Sequence, residues 1–148
     1  MNSRVTVALL LLLLRPALSD TQSFSNWFGT WRLDLTQSEW KSGPAPYARG
    51  TWTIEPAGDD VRMVYDLVGT RGGVTHMEWT GRFDARDYPL QGADAVVTYA
   101  YTQVDGRTLD LLVKVDGNVT MRGRLTLAAD GRSLTSETPA TRTVYVKR

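Results

Sequence analysis

The chain has 148 residues with 17 Lys and Arg against 16 Asp and Glu and no cysteine, which excludes a disulfide framework, thiolate chemistry and a lipid-modified N-terminal cysteine. The basic residues are scattered singly among acidic ones, so no stripe exists to neutralise a phosphate backbone or an anionic membrane, and no nucleic-acid partner is expected.

Residues 1–19 read as a cleavable secretory signal. Arg4 supplies positive charge, Val5 to Leu14 form the apolar run, and Ala17-Leu18-Ser19 offers small residues at the cleavage point. About ten apolar residues are too few for a spanning helix, which needs about 20, and Arg15-Pro16 closes the run, so no membrane span is expected after cleavage. The expected mature chain, residues 20–148, is one exported domain, periplasmic or extracellular. Loss of Arg4 and Arg15 leaves 15 basic against 16 acidic residues.

The mature part opens on Trp27-Phe28-Gly29-Thr30-Trp31, which leads into a strand over about 28 to 35. Thr36 to Lys41 is the one helical candidate, because Thr36 stands three residues before Glu39 as in a capping box. Pro44 and Pro46 then force extended backbone. Beyond them, short alternating runs are separated by turn signals: Ala57-Gly58-Asp59, Gly69 to Gly73, Asp84 to Gly92 with Pro89, Asp105-Gly106, Asp116-Gly117-Asn118 and Asp130-Gly131. Strands are predicted at about 48 to 55, 61 to 68, 74 to 84, 95 to 104, 107 to 115, 118 to 128, 132 to 138 and 141 to 147. The fold class is therefore all-β: an antiparallel up-and-down meander of eight to nine strands, closed into a barrel that leaves no edge exposed.

Alternation assigns one face to the interior: Trp31 and Leu33; Trp52 and Ile54; Met63, Tyr65 and Leu67; Met77, Trp79 and Phe83; Val97, Tyr99 and Tyr101; Leu109, Leu111, Val113 and Val115; Val119, Met121, Leu125 and Leu127. The opposite face carries Arg32, Asp34, Glu55, Arg62, Asp66, His76, Glu78, Asp110, Arg122 and Arg124, which suit water.

Gly29-Thr30-Trp31 followed by a β meander resembles the lipocalin and wider calycin pattern. More closely, Phe28 to Leu35 with Ser38, Tyr47 to Gly58, and Thr75 to Gly92 are similar to a group of exported bacterial lipocalin-like proteins of unassigned function. The resemblance implies that Gly29 and Trp31 belong to a structural plug at the closed end. It also implies a late-strand arginine stacked on that Trp, for which Arg142 is the candidate. Thr80 to Phe83 is similar to an avidin segment, but later strands lack the regularly placed Trp residues of a biotin site.

The predicted ligand site is the lumen: Trp52, Met63, Tyr65, Met77, Trp79, Tyr99, Tyr101 and Met121, aromatic walls and adaptable thioethers that suit a small hydrophobic molecule. The same side chains can instead fill the barrel, since a barrel of about eight strands is either packed or holds one small ligand. His76 and Glu78 share a face, yet one His and one Glu are too few for a zinc site and read as a surface pair. No Gly-x-Ser-x-Gly elbow and no phosphate-cradling loop is present, so no catalytic residue, metal or cofactor is assigned and binding without catalysis is expected. The rival function is a protein-interaction or enzyme-inhibitor barrel using loops 41 to 47 and 86 to 93 as its rim.

Overall fold

The computed structural model describes residues 24–148, and the expected signal at residues 1–19 lies outside them. A 3-10 turn at Ser25–Trp27 leads into ten antiparallel strands: β1 Gly29–Trp40, β2 Tyr47–Ala57, β3 Asp60–Gly69, β4 Val74–Gly81, β5 Tyr88–Gln91, β6 Val97–Asp105, β7 Thr108–Val115, β8 Asn118–Leu127, β9 Ser133–Glu137 and β10 Thr141–Lys147. Each strand pairs with its neighbours in the chain, and β1 pairs with β10, which closes the barrel. The expected all-β meander barrel is thus the observed fold, with ten strands against the eight or nine expected. Among the described residues no helix is long and apolar enough to cross a membrane.

The tenth strand lies where a turn is expected. Within Asp84 to Gly92, Tyr88, Pro89 and Leu90 pair with Tyr99, Thr98 and Val97 of β6. Towards β4, β5 pairs only through Leu90 and Gln91. Pro89 has no N–H to donate to a ladder, and the pairing with β4 is confined to the strand's far end. Residues 88–91 are therefore barrel wall, with Leu90 buried and Tyr88 edge-on to Trp79 at 5.8 Å. Arg86 and Asp87 end the β4–β5 connection, at the opposite end of the barrel from residues 41–46, whereas Gly92 and Ala93 begin the β5–β6 connection at the same end as residues 41–46.

Thr36 to Lys41 is not helical. β1 continues through it to Trp40, but its register against β10 jumps from Asp34 opposite Val144 to Glu39 opposite Arg142. Four residues of β1 thus face one of β10, a wide bulge. The Asp34 carboxylate accepts from the Thr36 hydroxyl at 2.6 Å, the Thr36 N–H at 2.9 Å and Gln37 Nε2 at 2.7 Å. The Ser38 hydroxyl donates to the Asp34 carbonyl at 2.7 Å and accepts from the Val144 N–H at 2.9 Å, which mends the interrupted ladder. A polar run that resembles a helix cap thus serves to satisfy the backbone of a bulge.

A second bulge corrects the interior face. Val113 pairs with Met121 and Lys114 with Val119, so Thr120 is the extra residue and the side-chain parity reverses there. Val119, expected inside, points out and is 49% exposed. The other strands keep the expected alternation, and no charged or polar side chain is buried among the described residues.

One end is closed by the N-terminal segment. Trp27 and Trp31 are fully buried, the Trp31 indole donates to the Trp27 carbonyl at 2.9 Å, and the Trp27 indole donates to the Gly106 carbonyl of the β6–β7 hairpin at 3.0 Å. Phe24 adds a contact to Phe83 with ring centroids 4.8 Å apart. The basic group over Trp31 is Lys147 rather than Arg142: its Nζ lies 5.1 Å from the ring centroid and donates to the Asn26 carbonyl at 3.0 Å. Register decides this, because Trp31 faces Lys147 whereas Arg142 lies opposite Glu39, where it pairs with Glu137. Gly29 begins β1 at φ +138°, and a Cβ there would stand 3.0 Å from Lys147 Cε.

Candidate functional site

Above the plug the barrel is mostly filled but retains an interior cavity of about 110 Å³, walled by Trp52, Tyr65, Tyr99, Tyr101, Leu111, Met121, Leu125, Ser136 and Tyr145. Larger hollows, of about 620 and 510 Å³, lie on the outer surface around the β8–β9 junction and beside the β9–β10 turn. The first is larger, but Asp110 and Arg124 pair across that wall at 2.7 Å, and it is a surface depression. The smaller cavity is the one bounded by inward-facing side chains of the barrel.

Five of the eight predicted lumen residues, Trp52, Tyr65, Tyr99, Tyr101 and Met121, surround this cavity. The other three do not. Met63 and Trp79 are fully buried and serve as packing: Trp79 stacks on Phe83 at 6.2 Å, meets Tyr101 edge-on at 4.8 Å and donates its indole N–H to the Tyr99 carbonyl at 3.1 Å. Met77 is half-buried against the core. Sequence reasoning missed Tyr145 and Ser136, since no face was assigned to the last two strands. The alternations Leu134–Ser136 and Thr143–Tyr145 carry the signal, with Leu134 and Tyr145 buried.

Ring contacts fix the walls. Trp52 stacks on Tyr65 at 5.0 Å and 28°, and Tyr145 meets Trp52 edge-on at 5.4 Å. Tyr99 and Tyr101 meet edge-on at 6.1 Å. The Tyr65 and Tyr101 hydroxyls lie 2.9 Å apart, and Tyr65 Oη also lies 3.5 Å from Met63 Sδ. Removal from water, first among the causes, pushes all four phenols up: Tyr99, Tyr65 and Tyr101 above their ordinary value, and Tyr145 to about 12. They therefore stay neutral at physiological pH, as hydrogen-bonding hydroxyls rather than bases.

Met121 and Leu111 each border both the cavity and an outer hollow. Met121 lines the outer groove formed with Val119, Thr120, Arg122, Thr138, Pro139 and Ala140. β9 pairs with β8 only over Arg124 to Leu127, so residues 118–123 of β8 have no paired strand on that side among the described residues.

His76 lies outside the lumen. Its Nδ1 is 2.6 Å from the Asp66 carboxylate across the strand pair and its Nε2 is 3.0 Å from Glu78, which also accepts from Arg62 at 2.8 Å. Arg62 bonds Glu55 in turn, completing an exposed chain across β2, β3 and β4. Asp66, then Glu78, hold the His76 pKa above its ordinary value. Both ring nitrogens are occupied, and among the described residues no group of three His, Cys, Asp or Glu converges as metal ligands do. No family model matches the chain, and no curated protein matches it.

Proposed function

We propose that this chain is an exported, lipocalin-like barrel that binds a small, neutral, mainly apolar molecule in its lumen and performs no chemistry on it. The observation that carries this reading is the cavity inside a barrel closed at one end, walled by five aromatic rings and by no charged group. Cavity size sharpens the class of guest. An apolar protein cavity of about 150 Å³ accepts benzene. A space of about 110 Å³ suits a molecule of at most about six non-hydrogen atoms unless Met121 moves aside. At a ceiling of about 1.5 kcal/mol per such atom, six atoms give about 9 kcal/mol, so affinity is a few tenths micromolar at best. A guest of that size and affinity fits sequestration or transport of an abundant compound.

Native mass spectrometry of protein from its own host, together with ligand-observed NMR against small neutral compounds, tests this. The expected result is a bound compound that Met121→Trp expels, because the added ring occupies the cavity while the half-buried site tolerates it. Protein that carries no small molecule and binds none of the compounds would refute the proposal.

A further inference from the structure

Four tryptophans are buried, and three of them donate their indole N–H to a backbone carbonyl: Trp27 to Gly106, Trp31 to Trp27 and Trp79 to Tyr99. The fourth departs from the pattern. Trp52 is 3% exposed, and its Nε1 is the one buried side-chain nitrogen or oxygen among the described residues without a hydrogen-bond partner. It is also a wall of the lumen cavity, with its ring held by Tyr65 on one face and by the edge contact with Tyr145. An indole N–H donates only and cannot turn to another role, so a buried orphan of this kind calls for an acceptor.

We infer that the lumen selects compact neutral molecules bearing one hydrogen-bond acceptor, a carbonyl or ether oxygen, which Trp52 Nε1–H binds. This rests on the carrier reading above and narrows it to a ligand class. The apolar body of the guest lies against Leu111, Leu125 and Met121, and its acceptor meets the indole. Cations are excluded because the lumen offers no counter-charge, and carboxylates because an indole and neutral phenols do not offset the loss of an anion's hydration. A hydrocarbon of the same shape fits but leaves the indole unpaired.

The probes are cyclopentanone and methylenecyclopentane, which share size and shape and differ in one acceptor oxygen. Their affinities are measured for the wild type and for Trp52→Phe, so that transfer costs from water cancel in the ratio of ratios. The ketone's advantage over the alkene is expected to fall about tenfold or more in the variant. As a readout that needs no variant, the Trp52 indole N–H resonance of ¹⁵N-labelled wild type should move downfield with the ketone and stay in place with the alkene.

The outcomes separate the two proposals. Binding of both probes with an unchanged ratio in Trp52→Phe, or an unmoved indole resonance under bound ketone, overturns the acceptor inference and leaves the carrier reading standing. So does a ketone-soaked structure in which only water meets Trp52 Nε1. Binding of neither probe, with no other small molecule bound by the wild type, overturns both.

Discussion

Truncation of Trp31 to Ala tests whether the closed end holds the barrel together. The side chain is fully buried, so the change removes an entire indole from the core. Trp→Ala at such a site costs about 3 to 5 kcal/mol from lost transfer energy and the cavity left behind. Loss of the hydrogen bond to the Trp27 carbonyl adds about 1 kcal/mol, and loss of the ring beneath Lys147 adds about 0.5 to 1. Overlap between these terms keeps the expected total near 4 to 5 kcal/mol, a large share of the 5 to 15 that a domain usually has. With an m-value of about 2 kcal/mol per M, the urea midpoint should fall by roughly 2 M. Trp31→Phe, which keeps a ring, should lose less than half as much. A loss below about 1 kcal/mol for Trp31→Ala would show that the N-terminal segment does not close the barrel.

The remaining tests address the wall and its outer face. Because Thr120 reverses the parity of β8, Val119→Thr should change stability by less than about 0.5 kcal/mol, whereas Leu125→Ala on the same strand should cost about 2 to 5 kcal/mol in urea unfolding; equal losses would disprove the bulge. Gly92 has φ +92°, and a Cβ there would overlap the His76 carbonyl oxygen, so Gly92→Ala should lower stability by more than about 2 kcal/mol; a neutral result would mean that β4 and β5 are not joined as described. The His76 pKa is raised by Asp66 and Glu78, so its contribution is full below the unfolded value near 6.5 and is lost as pH rises through the higher folded value. The urea midpoint of wild type relative to His76→Gln should accordingly decline as pH rises above about 6.5; a flat difference would show that the Asp66–His76–Glu78 chain is broken in solution.

Alternation alone made the closed meander and most of its inner face readable, because a period of two needs no knowledge of neighbours. It failed where a single residue breaks the period, as at Thr120, and where a polar run has two uses. Thr36 to Glu39 carries a cap-like pattern, and only the partner strand shows that Ser38 is spent on the Val144 N–H. The candidate site was half legible for a different reason. Alternation says whether a side chain faces in, but not how far along the barrel axis it lies. That height follows from the stagger between strands, which sends Met63 and Trp79 into solid packing and brings Tyr145 and Ser136 to the cavity.

The separation of charge between the two faces has a consequence for binding. Every titratable side chain on the cavity wall is a tyrosine whose pKa burial has raised, while His76, whose pKa Asp66 and Glu78 raise, sits with its carboxylates on the outside of β3 and β4. Protonation of His76 therefore changes the charge of the wall without changing a group that touches the guest. Affinity for a neutral ligand such as cyclopentanone should stay within about twofold from pH 5.5 to 8.5 even as stability shifts over the same interval, because a group that does not contact the ligand acts only through the folded fraction, which remains close to one. Parallel titrations of binding and of urea unfolding measure the two quantities on one sample. A binding curve with a midpoint between pH 6 and 8 would require His76 to reach the lumen through β3, where Asp66 and Tyr65 are adjacent residues facing opposite sides of the wall.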